Sequence, residues 1–349
     1  MRKKLVSVRE CKDGDIAAQD VFSESGILYV TENTRLNTYI IEKLKSLNIE
    51  KLHVYYDIPL QSPSEYELSY RKFLDNYNNN TEVVKEMISS LATGKKPEAE
   101  HVESITETMF EGIKDKGNII RCLSEMRNFD QYTYNHSLNV ALYSMLIASW
   151  LKLPDETIKD AMKAGLLHDI GKAKIPEEIL NKDGTLSDEE FEIMKEHPTH
   201  SYNVARTIPG LSKNVLKGIL FHHEREDGSG YPMALTGDRI DKLAKIVAIA
   251  DVYDALISER AYKKRITPFD TFKIFQNSGL GHFDAEIMMV FLANIASYYI
   301  GAGVVFESGK RGRVAAVLPH NISNPIVNVE GNFIDLDKNK DVKIIDMAG

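Results

Sequence analysis

The residues able to do chemistry in this chain are histidines and aspartates that stand on otherwise apolar helical rows. His168 and Asp169 are adjacent, near the end of the apolar run that Gly171 closes. Neighbouring residues of a helix point about 100° apart, so such a pair offers an imidazole and a carboxylate to adjoining points of one cavity. A carboxylate has two oxygens and can bridge two cations, whereas an imidazole ligates one. The chain supplies further ligands in order. His136 lies in the run 135–151, which is apolar on most faces and therefore buried. His197 precedes Pro198, which is expected to stop the helix opened by the capping box at Ser187 and Glu190 and to leave His197 at its end. His222 and His223 extend the inward rows of Val215 and Ile219 and of Leu216 and Leu220. Asp251 follows Ala244 and Val247 on one face, and Asp254 shares that face. A carboxylate on an apolar row needs a partner, and metal-bearing histidines provide one.

Five histidines and two aspartates thus converge from five helical segments. Imidazole and carboxylate donors without cysteine suit iron, manganese, nickel or zinc and argue against a structural zinc site. Seven ligands exceed the need of one ion when positions are kept open for substrate. A paired site is indicated, and paired metals are a device for hydrolysing phosphoesters.

The elements that must position these groups follow from the pattern along the chain. The 349 residues suggest two or three domains, and a hydrophobic content of 43% with 27% charged residues is that of a soluble globular protein. A net charge of −8 excludes a general binder of nucleic-acid polymers, so a phosphate substrate must be met by local cations. Two cysteines, Cys11 and Cys122, are too few for a disulfide framework, which fits a reducing cytoplasm. No signal peptide is visible, and the apolar stretch 138–151 is too short to span a bilayer.

The expected fold class is mainly α. Residues 1–57 read as a small α/β accessory module, 58–102 as a helical linker with a loop at Asn78, Asn79 and Asn80, and 103–300 as the helical catalytic domain. Residues 301–349 switch to a period of two and read as a small β module, a barrel or a stack of hairpins. After His223 the segment 224–232 carries glycines that permit a tight loop, and Tyr231 and Pro232 offer a flat surface beside the site.

With these residues in place the chain resembles an HD-GYP domain, the cyclic di-GMP phosphodiesterase branch of the HD metallohydrolases. The resemblance rests on His136 within 132–141, on His168, Asp169 and Lys172, and on His197 with Pro198. It extends through His222, His223 and Glu224 to the Gly230, Tyr231, Pro232 triplet, and to Asp251 with Asp254. It covers about residues 103–300. It implies a helical fold and hydrolysis of cyclic di-GMP to the linear dinucleotide pGpG or to GMP, through a hydroxide activated by two divalent ions, iron or manganese. It makes His136, His168, Asp169, His197, His222, His223 and Asp251 metal ligands, with Asp169 and Lys172 catalytic. Lys172, Tyr231, Asp254, Arg260 and Lys263 become contacts to substrate. Arg260 and Lys263 follow Asp251 by 9 and 12 residues and bring local cations to an acidic chain.

Two departures stand out. Ser201 occupies a position where the family pattern has glycine. Some members of the family hold three metals through a glutamate four residues before the first ligand histidine; here that position is Tyr132, a poor ligand for a hard cation, so two metals are expected. Another cyclic dinucleotide, such as cyclic GMP-AMP, or a receptor without activity are the competing readings. Protein partners at the Gly-Tyr-Pro loop or the N-terminal module, and a homodimer, are left open.

Overall fold

The computed structural model describes residues 2–12, 14–22, 28–30, 32, 34, 36, 38–46, 49–56, 65–114, 117, 119–120, 122–123, 132–258, 266–279 and 281–348. The chain divides into two compact units, Met1–Leu68 and Ser69–Gly349.

The first unit contains strands β1 (Arg2–Ser7), β2 (Val21–Phe22) and β3 (Leu28–Val30), helix α1 (Thr38–Ser46) and strand β4 (Lys51–Tyr56). β1 pairs antiparallel with β4, and β2 with β3. Val8, Ala17, Leu36, Ile41, Leu44, Leu52 and Val54 form its core. The unit mixes strands with helix α1, and its boundary at Leu68 lies beyond the residue 57 expected from the sequence.

Helix α2 (Glu65–Ala92) runs without interruption through Asn78, Asn79 and Asn80, so the loop expected there is not present. The asparagines disfavour a helix by about 0.7 kcal/mol each at most. Against them stand Tyr70, Phe73, Tyr77, Val84, Met87 and Leu91, all buried along one face, and a fully buried large apolar side chain is worth about 1.5–3 kcal/mol. Packing wins over propensity.

After α3 (Ala99–Phe110) come α4 (Tyr132–Trp150), α5 (Asp155–Leu167), α6 (Glu177–Leu180), α7 (Asp188–Met194), α8 (His197–Ala205) and α9 (Lys213–Phe221). They are followed by α10 (Lys242–Ile257), α11 (Pro268–Ser278) and α12 (Ala285–Ser297). Ser187 and Glu190 form the expected capping box of α7. The helix ends at Met194, and Pro198 falls in the first turn of α8 instead of closing α7. A proline is tolerated there because its missing N–H has no helical partner in any case. α10 is the buried centre: Leu243, Ala244, Ile246, Val247, Ile249, Ala250, Tyr253 and Ile257 are enclosed.

Strands β5 (Gly303–Phe306), β6 (Arg311–Leu318), β7 (Asn321–Val329), β8 (Asn332–Asp335) and β9 (Ile344–Ala348) form one antiparallel sheet in the order β8-β7-β6-β5-β9. Val304, Phe306, Val314, Ile322, Val327 and Val329 join the same core as the helices. The mainly helical class with small terminal β elements therefore holds. Among the described residues no helix is long and apolar enough to cross a membrane.

Candidate metal centre

Three of the histidines are held by one device. His168 caps the C-terminus of α5, and its Nδ1 lies 2.7 Å from the carbonyl of Gly165. His222 caps α9 in the same way, 2.7 Å from the carbonyl of Ile219. His197 opens α8, with Nδ1 2.7 Å from the carbonyl of Met194, the last residue of α7. The final carbonyls of a helix lack intrahelical partners. A carbonyl only accepts, so Nδ1 carries the proton and Nε2 keeps its lone pair. His136, on α4, gives Nδ1 to Asp254 Oδ2 at 2.7 Å. With Nδ1 so engaged, the Nε2 atoms of these four imidazoles are the ones left to donate a lone pair.

Those lone pairs converge. His197 Nε2 lies 3.4 Å from His222 Nε2 and 3.1 Å from His223 Nε2. Asp169, just beyond α5, sends Oδ1 to within 3.2 Å of His197 Nε2 and Oδ2 to within 3.2 Å of His168 Nε2 and 3.5 Å of His136 Nε2. Asp251 Oδ1, from α10, lies 3.2 Å from His136 Nε2 and 3.8 Å from His168 Nε2. Three groups with ligand atoms within 4.8 Å of one another result, His197–His222–His223, His136–His168–Asp251 and His168–Asp169–His222; the first two have no residue in common and the third bridges them. Asp169 faces the first two, one oxygen to each side.

The donor set fits divalent cations. His168 Nε2 and Asp169 Oδ1 are buried without a hydrogen-bond partner, and buried polar atoms left so are costly. Burial, with His223, His168 and His197 nearby, drives His222 well below the ordinary imidazole pKa. Burial brings His223 down to about 3, against the opposing pull of Asp251. Both rings are neutral near pH 7 and able to donate a lone pair. Burial alone would raise the two carboxyls. It is outweighed for Asp169 by His168 and Lys172, and for Asp251 by the histidines that surround it, so both stay well below the usual carboxylate range. Facing lone pairs and ionised carboxylates repel unless a cation lies between them.

Around this core, Lys172 Nζ lies 2.6 Å from Asp169 Oδ2 with about a third of its side chain open to solvent. The Tyr231 ring rests against His223 at 4.7 Å between centroids, and burial raises its phenol above the usual value. Asp254, expected to touch substrate, is placed elsewhere. It is buried, with its oxygens occupied by His136, Asn139 and Ser258, so it backs the His136 ring instead of facing an open site. Arg260 and Lys263 lie outside the described residues, as does the side chain of Tyr132.

Three supporting residues escaped the sequence reading. Ser201, the departure noted above, is buried and its Oγ accepts from Gly171 N at 2.8 Å. A Cβ on Gly171 would fall on the backbone N of Ser201, 2.5 Å from the carbonyl oxygen of His197, so the Asp169 turn and α8 meet backbone to backbone. Glu224 is buried and accepts from Met233 N at 2.7 Å and Leu235 N at 2.9 Å, which closes the loop bearing Tyr231. Gly230 lets that loop close: a Cβ there would sit 2.5 Å from Glu224 Cα and Arg225 N. Asn139 donates to Asp254. A glutamate directly after two inward histidines was the available signal for Glu224; the partners of Ser201 and Asn139 are remote in sequence and left none.

Residues 121–287 match the family model described as the HD domain. A cyclic di-GMP phosphodiesterase of Pseudomonas aeruginosa is 34% identical over 246 residues, which is 70% of this chain and 59% of that protein. A 3'3'-cGAMP-specific phosphodiesterase of Vibrio cholerae is 38% identical over 170 residues, 48% of this chain and 39% of its own. A cyclic di-GMP phosphodiesterase of Thermotoga maritima is 37% identical over 175 residues, 50% of this chain and 47% of its own. The chain therefore spans between 39% and 59% of the length of these relatives.

Proposed function

We propose that residues 121–287, which match the HD domain, are of the HD-GYP form and that this protein is a phosphodiesterase that hydrolyses cyclic di-GMP to pGpG, to GMP, or to both. The observation that carries the reading is the convergence of bare imidazole nitrogens and ionised carboxylates into two clusters with Asp169 between them. Residues 103–300 form the catalytic segment. His197, His222 and His223 would hold one ion, and His136, His168 and Asp251 the other, with Asp169 placed beside both groups. Bound iron or manganese supplies Lewis-acid polarisation of the phosphodiester and lowers the pKa of a water nucleophile.

The remaining steps belong to the chain. Lys172 presents an ammonium beside Asp169 and offsets charge that develops on the phosphoryl oxygens. Tyr231, fixed by the Glu224-closed loop, flanks the ligand histidines and bounds the space for substrate. Asp254 holds the ring of His136. Arg260 and Lys263 take substrate phosphate. A second reading, a related cyclic dinucleotide such as cyclic GMP-AMP, is favoured by the Vibrio cholerae relative named above.

Turnover by protein reconstituted with iron or manganese, measured against a panel of cyclic dinucleotides with products resolved, tests the proposal. Cyclic di-GMP is expected to be cleaved fastest. Preference for cyclic GMP-AMP would replace the substrate, and no cleavage of any member by the metal-loaded protein would leave a receptor.

A further inference from the structure

The metal centre is anchored from behind by a chain of buried hydrogen bonds that leads out of the matched segment. His136 Nδ1 donates to Asp254 Oδ2 at 2.7 Å. Asn139 Nδ2 donates to Asp254 Oδ1 at 3.0 Å. The Tyr77 hydroxyl donates to Asn139 Oδ1 at 2.7 Å. The links pass from α10 to α4 and then to α2. Tyr77 is 0% exposed, Asn139 4%, Asp254 1% and His136 5%, so water does not compete at any link.

The chain has only one sensible polarity. Turning the Asn139 amide over would set its oxygen against an oxygen of the Asp254 carboxylate, two acceptors with no proton between them. With the hydroxyl of Tyr77 on the amide oxygen, the amide N–H is committed to Asp254. The carboxylate then takes the proton of His136 Nδ1. That fixes which nitrogen of His136 is bare, and the ring is aimed so that Nε2 lies 3.2 Å from Asp251 Oδ1 and 3.5 Å from Asp169 Oδ2. Outer partners of a ligand histidine set its tautomer and orientation, and their loss lowers metal affinity about 10–100-fold. Tyr253 and Tyr299 behave differently: their buried hydroxyls lie 2.8 Å apart and bond to each other.

We infer that Tyr77 is a positioning residue of the metal centre, acting through Asn139 and Asp254 on His136. Helix α2, which precedes residues 121–287 in the chain, is thereby part of the working site and not only a connector. This rests on the proposal that His136 binds metal.

The test compares wild type with Tyr77→Phe and with Tyr299→Phe, a matched loss of one buried hydroxyl away from the chain. Manganese affinity is measured by calorimetry for each binding step, and cyclic dinucleotide turnover is measured in parallel. Tyr77→Phe is expected to weaken one of the two steps about 10-fold and to leave the other unchanged, while Tyr299→Phe changes neither. Asn139→Ser, which breaks the next link without adding bulk, is read in the same way if Tyr77→Phe does not fold. Equal affinity of the broken-chain variant and wild type at both steps overturns the inference, and so does an equal loss in Tyr299→Phe. Wild type that binds manganese but cleaves no cyclic dinucleotide overturns the proposed function alone. Wild type that binds no manganese overturns both.

Discussion

Replacing Glu224 by glutamine probes how the loop beside the metal centre is held. The carboxylate is buried and accepts two backbone N–H groups, Met233 at 2.7 Å and Leu235 at 2.9 Å. Glutamine keeps the shape but offers one carbonyl oxygen and one NH2. One N–H retains its acceptor, and the other meets a donor. A hydrogen bond to a charged group contributes about 1.5–3 kcal/mol, and leaving a buried donor unpaired costs about 1–3 kcal/mol. These overlap, so the expected loss is about 2–3 kcal/mol. For large domains that corresponds to a fall in Tm of roughly 4–12 °C. The effect is local first: amide exchange at Met233 or Leu235 should quicken about 30–140-fold, a factor of ten for each 1.4 kcal/mol. Tyr231, four residues before Leu235, then loses its fixed place against His223, and kcat/KM falls with manganese content unchanged. Hydrogen-exchange mass spectrometry and thermal melts decide the matter. A Tm within 1 °C of wild type together with unaltered exchange would show that Glu224 does not close the loop.

Asp169→Ala should abolish hydrolysis, because the carboxylate facing both clusters is gone; turnover with both metals still bound would refute its role. Arg260→Ala should weaken cyclic dinucleotide binding and leave metal content unchanged, and calorimetry that finds equal affinity would show Arg260 to be a solvated residue. Protein loaded in excess iron or manganese should hold two ions, as read by anomalous scattering, and a fully occupied third position would overturn that number. The metal-free protein should lose stability as the pH falls from about 6.5 toward 3. In that window the unfolded chain protonates His223, whose ordinary pKa is 6.5, while the folded form, lowered to about 3, does not. His222 acts in the same direction. Chemical denaturation at stepped pH checks the sign; constant stability across the window would contradict it.

The inward histidines were legible by two signals: His136, His222 and His223 fall among apolar residues, where an imidazole has few reasons to face inward, and His197 stands directly before a proline. Spacing alone brought His168 with Asp169, and His222 with His223, to one place. Position within the helix was less legible. His168 and His222 turn out to be C-caps, where they use carbonyls that the helix itself leaves over. The loop expected at Asn78 was a reading of local propensity, and it failed because six buried side chains on either side of the asparagines outweigh them. Asp254 was placed on the right face but given the wrong neighbour, since sequence spacing shows that a carboxylate points inward and not whether it meets a ligand or the back of one. Tyr77 left no signal at all: its partner Asn139 is 62 residues away, and a tyrosine among apolar residues reads as core.

The contact at Gly171 has a bearing on which ions the site accepts. Two stretches of backbone pressed together, with no side chain between them, form a joint that cannot stretch or compress by changing rotamers. The positions of Asp169 and His197 relative to each other are therefore set before any ion arrives. A second such joint lies at Gly165, where a Cβ would sit 2.9 Å from Ala141 Cα and from the carbonyl oxygen of Val140, so the helices bearing His136 and His168 are likewise held backbone to backbone. Under the proposed two-ion reading, neither pair would adjust to ions of unequal radius by sliding one backbone past the other.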